Sequence, residues 1–171
     1  MTQETPLINR VAESGLTTLD LADLLPKQPI LVFDMKPLLV QGLVLMEKPF
    51  REYLKQTDWQ LYQDQVVAVY CSADALIPKW AYMLLASYLQ PVAKQVVYGS
   101  AADAENALLL SAIAKIDPKQ YEGARLVIKG CGDRDIPAEA YLAISTQLLP
   151  VVKSLMYGEP CSTVPIYKQP K

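Results

Sequence analysis

From residue 66 onward the chain alternates short apolar runs with longer stretches of helical periodicity. Val66–Tyr70 is a continuous apolar run of the kind found in strands covered on both faces. Within 78–90, Ala81, Leu84, Leu85 and Tyr88 fall at i, i+3, i+4 and i+7, which makes one apolar stripe. The pattern predicts strand 66–70, helix 78–90, strand 95–98, helix 103–115, strand 125–129, helix 137–148 and strand 153–157. Strands alternating with helices of this length point to βαβ units in a mixed, mostly parallel sheet flanked by helices. Ahead of this region, 15–21 partly alternates like a strand and Pro26 and Pro29 close it. Residues 1–28 therefore read as an arm covering a single α/β domain. Two apolar runs, 30–35 and 39–46, are split by Lys36-Pro37 and predict two strands. Pro49, read at the first helical position, starts a short helix over 50–56.

The pattern also repeats. Residues 77–99 (IPKWAYMLLASYLQPVAKQVVYG) align without a gap on 136–158 (IPAEAYLAISTQLLPVVKSLMYG). Ten of the 23 positions are identical where chance gives roughly one or two, so the likeness is a duplication. With the preceding strands, the repeated unit is strand, loop, helix and strand over 66–99 and 125–158. Pro78 and Pro137 read as first helical residues, and Pro91 and Pro150 end both helices. Two such copies predict one local fold used twice within a single sheet.

Composition narrows the chemistry. At 171 residues and 51% hydrophobic the chain is long enough to bury a real core. Its apolar runs are all broken below spanning length and MTQETPLINR lacks a basic, apolar leader, so a cytoplasmic protein without a membrane partner is expected. A net charge of −2 with no basic stripe argues against nucleic acid. The chain has no histidine, which removes Ser-His and Cys-His pairs and histidine-ligated zinc.

The three cysteines are the remaining candidates. Cys71 and Cys131 lie just past strands 66–70 and 125–129, seven and six residues before Pro78 and Pro137. Cys161 lies just past the second Tyr-Gly. Were both strands in one parallel sheet, Cys71, Cys131, Asp74 and Asp133 would share its carboxyl edge, where α/β proteins bind ligands. With Cys161 as a third sulfur, the set would suit zinc or an iron–sulfur cluster. Three alternatives stand beside this. The cysteines can simply pack at strand ends. Asp74 and Asp133 can hold their loops through backbone hydrogen bonds. Gly130-Cys131-Gly132, with Lys129 beside it, can present a reactive thiol or sulfur acceptor. The recurring Tyr82/Tyr141 and Tyr98/Tyr157, with Trp59 and Trp80, read as core packing. Asp34-Met35-Lys36 reads as a solvated turn.

The segments VYCSADALIPKWAY (69–82), VIKGCG (127–132) and PVVKSLMYGEPCSTVPIYK (150–168) are similar to signature segments of a bacterial family, domain of unknown function 2480. The resemblance extends over the whole chain. It implies no activity. It implies an association with iron–sulfur cluster assembly, because genes of the family often lie beside sulfur-mobilisation assembly genes. The leading expectation is thus a small accessory protein, without turnover, binding a metal or labile cluster through cysteines, with iron–sulfur assembly proteins as partners. The alternatives are an interaction module with structural cysteines, or a thiol enzyme or sulfur acceptor.

Overall fold

The computed structural model describes residues 15–130 and 134–170. Their regular elements run in the order β1 (Leu16–Asp20), β2 (Leu31–Asp34), α1 (Glu47–Gln56), β3 (Val66–Tyr70), α2 (Lys79–Leu89), β4 (Gln95–Tyr98), α3 (Ala101–Ala114), β5 (Arg125–Lys129), α4 (Ala138–Leu148), β6 (Ser154–Glu159) and β7 (Ser162–Lys168). The α/β class and the mostly parallel pairing agree with the alternating pattern.

The single sheet is corrected. Strands divide between a three-stranded sheet, β2-β3-β4, and a four-stranded sheet, β1-β5-β6-β7, so β3 and β5 never share an edge. The reason is that each copy has its own parallel partner: β2 lies on β3 from Leu31↔Val67 to Asp34↔Tyr70, and β1 lies on β5 from Leu16↔Arg125 to Asp20↔Lys129. The chain accordingly forms two compact units, Pro26–Leu108 and Met1–Leu25 with Leu109–Lys171. What was read as a covering arm contributes, in its described part, the strand β1 and the buried Leu21 and Leu25.

Each unit builds its own core at matching positions. Val67, Val69, Ile77, Ala81, Leu85 and Leu89 are buried in one; Leu126, Ile128, Ile136, Ala140, Ile144 and Leu148, each 59 residues on, are buried in the other. Fully burying a side chain such as Leu85 or Ile144 contributes roughly 2 kcal/mol, so these helix–sheet contacts dominate each copy. The match begins earlier than the sequence likeness. Asp58 Oδ1 accepts from Gln60 N and Asp117 Oδ1 from Lys119 N at 3.1 and 3.0 Å, each starting a short 3-10 turn. Asp64 N donates to Val92 O and Gly123 N to Val151 O at 2.9 and 2.8 Å. Gly99 and Gly158 close both copies at φ 120° and 114°, a region that excludes most side chains.

Three local expectations change. Pro78 and Pro137 are N-cap residues with extended backbone, one position before the helix, and each accepts the first helical hydrogen bond through its carbonyl. Residues 39–46 form no strand: Gln41 and Gly42 turn left-handed at φ 54° and 71°, and Val40 N donates to Val44 O at 2.8 Å across that turn. Pro49 is the third residue of α1, which begins at Glu47.

Candidate functional site

Asp34, Cys71 and Lys129 lie at the carboxyl ends of parallel strands. In the unit Pro26–Leu108, Asp34 ends β2 and bridges to the residue that follows Cys71. Its Oδ1 accepts from Lys36 N and Ser72 N, both at 2.9 Å, and its Oδ2 accepts from Ser72 Oγ at 2.6 Å. Burial works to raise this carboxyl, but the bonds from Ser72 Oγ, Lys36 N and Ser72 N, with the Lys36 charge, outweigh it and hold the group below the ordinary carboxylate range. Asp34 thus stands in a solvated turn and at the same time clamps two strand ends together. The strand-end position of Asp34, two residues before an available backbone N–H, was the signal for this.

The predicted site residues among those described are shared between the two units. Cys71 follows β3 half-buried and packs against the core of its own unit, while Asp74 is exposed in the next loop. Cys161 belongs to the other unit, exposed in the two-residue turn Pro160-Cys161 between β6 and β7. Cys131, Gly132 and Asp133 lie outside the described residues. Among the described residues no three His, Cys, Asp or Glu side chains are grouped to hold a metal ion. Lys129, the proposed activator of a thiol, ends β5 with its Nζ 3.8 Å from Asp20 Oδ2 and 3.1 Å from Glu159 Oε1. Gly130 is buried directly after it. A Cβ there would run into the Tyr141 hydroxyl and come within 3.2 Å of Ile136 Cγ1.

The register of the repeat explains the cysteines. Tyr70 and Lys129 end equivalent strands, so Cys71 corresponds to Gly130, and Cys131 corresponds to Ser72. The two cysteines are not duplicates of one another. Where the first copy has the Cys71 side chain, the second has the hydroxyl end of Tyr141.

What the duplication does reproduce is a tyrosine pair over an apolar pocket. Tyr82 of α2 meets Tyr98 of β4 edge-on with centroids 5.6 Å apart, and Tyr141 of α4 meets Tyr157 of β6 in the same way at 5.5 Å. Burial pushes the Tyr82 phenol up, and Tyr98, Cys71 and a hydrogen bond to Tyr98 act in the same direction. The first pocket, about 200 Å³, is lined by Val69, Leu85, Ala86 and Val96 besides the tyrosines. The second, about 150 Å³, is lined by Ile128, Ser145, Leu155 and Met156, and Ile166 of β7 is added to it. These tyrosines were expected in the core, and the structure puts them at pocket rims instead. Trp59 and Trp80 do pack, Trp59 stacked on Phe33 at 6.2 Å and Trp80 tilted against Phe50 at 6.1 Å.

The strand β7 makes the two pockets differ. It pairs antiparallel with β6, setting Tyr157 opposite Val164, whereas β4 pairs among the described residues with β3 alone. Tyr98 is 75% exposed and Val96 36%; at the equivalent positions Tyr157 is 37% and Leu155 1%.

No helix among the described residues is long and apolar enough to cross a membrane. Residues 5–169 match the model of a family described as a protein of unknown function (DUF2480), and the chain belongs to that family. No curated protein and no solved structure matches it.

Proposed function

We propose that this member of the family works by binding another polypeptide rather than by turnover, through the outer edge of β4 and the open pocket between Tyr82 and Tyr98. The observation that carries this reading is the contrast between the two copies. In one, β7 lies along the edge and Ile166 adds to the pocket wall; in the other, the same surface leaves Val96 and Tyr98 exposed. An uncovered strand edge is a ready template for an added strand, because its outward N–H and C=O groups await partners. The apolar pocket beside it supplies a place for one side chain of that strand. Cys71 then has a packing role behind the pocket, consistent with its contact with the core of its unit.

The reading is tested with a peptide of residues 162–168, the strand that covers the equivalent edge. Added to dilute protein at up to about 1 mM, it is expected to shift the amide resonances of Val96 and Tyr98 in a saturable way. Val96→Pro, which removes an outward N–H, is expected to abolish the shifts. An unshifted spectrum for Val96 and Tyr98 at the highest peptide concentration refutes the edge as a binding surface.

A further inference from the structure

We infer that the partner at this edge is β4 of a second copy of the chain, paired antiparallel across a two-fold axis so that β2-β3-β4 of each protomer join in one continuous sheet. The inference rests on the edge reading above and names its occupant.

The edge is built to pair with itself. In the parallel ladder with β3, alternate residues of β4 turn inward: Gln95 N reaches Gln65 O and Gly99 N reaches Val69 O. Val96 and Tyr98 therefore turn their N–H and C=O groups outward. Two identical edges related by a two-fold axis can meet only antiparallel, which is the sense of β7 on β6. With Val97 on the axis, Val96 of one protomer stands opposite Tyr98 of the other, at both ends of the pairing. That recreates the Tyr157↔Val164 pair of the covered copy, with Val96 of the second protomer at the mouth of the Tyr82/Tyr98 pocket.

Charge agrees with this register. Lys94, exposed just before β4, falls opposite Ser100 of the second protomer. Ser100 N and Oγ donate to Asp103 Oδ2 at 2.9 and 2.7 Å, so an exposed carboxylate waits beside that position. The two-fold axis makes this Lys94–Asp103 approach twice. Nor is the edge protected in the usual ways. Natural sheets blunt open edges with proline or charge; β7, the outer strand of the other sheet, carries Pro165 and Lys168, whereas Gln95, Val96, Val97 and Tyr98 include neither.

Sedimentation equilibrium on the full chain reads the association. The wild type is expected to reach twice the 19.0 kDa chain mass at micromolar concentrations. Val96→Lys and Tyr98→Glu, at solvent-exposed positions, should each raise the dimer Kd about tenfold or more, since each sets a charge against an uncharged neighbour. Far-UV circular dichroism should stay unchanged in both. Mixed one to one, the two variants should associate again, because the introduced lysine then faces the introduced glutamate. A wild type that stays monomeric, a dimer indifferent to both substitutions, or a mixture that fails to recover overturns the inference. If the monomeric chain still binds the 162–168 peptide, only the self-pairing falls; if it does neither, the edge reading falls with it.

Discussion

Tyr98 and Tyr157 occupy one position of the repeat, each edge-on to a tyrosine of the preceding helix, yet Tyr98 is twice as exposed, 75% against 37%. The difference is the strand β7, which sets Val164 against Tyr157. Truncation should therefore cost unequal amounts. In monomeric protein, Tyr157→Ala is expected to lose about 2 kcal/mol, from burial, its ring contact and its cross-strand pair, and Tyr98→Ala less than about 1 kcal/mol. Urea unfolding of both variants checks this, and equal losses would contradict the role given to β7.

Asp34 joins the ends of β2 and β3 through three hydrogen bonds, and its acidity follows from them. Its carboxyl is held below its ordinary value of 3.8, so the folded state favours the charged form. The resulting stabilisation is present above the unfolded value and is lost as pH falls through the folded one. Because the site is largely solvated, its size is about 1 kcal/mol or less. The gap in stability between wild type and Asp34→Asn should hold constant from about pH 7 to pH 5 and close below about pH 4. A gap unchanged down to about pH 2.5 would mean that the carboxylate charge has no part in the clamp.

Periodicity carried the sequence a long way in the repeated region. The apolar stripe of α2, the strand β3 and the duplication each appeared where the pattern placed them, because helix and strand periods are local properties. Sheet membership was not local. Nothing in 66–70 says that its parallel partner is Leu31–Asp34, or that 125–129 pairs with Leu16–Asp20, since pairing is settled by which core each strand closes. Cys71 and Cys131 both follow an apolar run, yet they precede Pro78 and Pro137 by different distances. Counting from the prolines makes Cys71 the counterpart of Gly130. The strand β7 was missed because Pro165 interrupts STVPIYK; proline is admitted in such a run at a sheet edge, which is where β7 lies.

Gly130 does not have a positive φ, so its requirement is for space and not for a left-handed conformation. Gly130→Ala pushes a methyl group into the Tyr141 hydroxyl and should cost about 1–3 kcal/mol. Adding Tyr141→Phe removes the atom in the way, so the double variant should be more stable than the two single losses predict. A double-mutant cycle by urea unfolding measures this coupling. Additive losses would show that the methyl group meets some other obstacle.

The thiols give the sharpest division between the readings of this chain. Cys71 is half-buried against a core, and Cys161 stands exposed in the turn between Glu159 and Ser162. If packing is their only role, Cys71→Ser places a hydroxyl where sulfur packed and should cost about 1–2 kcal/mol. Cys161→Ser exchanges two small exposed groups and should change stability by less than about 0.5 kcal/mol. A metal held by Cys71, Cys131 and Cys161 reverses that expectation, because each ligand then contributes to binding that stabilises the folded state alone. The measurement is metal content together with melting temperature, on wild type and Cys161→Ser purified without oxygen. Equal melting of the two proteins fits the exposed turn and the interaction module. Loss of bound zinc or iron in Cys161→Ser, with melting several degrees lower and matched by metal-stripped wild type, would instead establish the three cysteines as ligands.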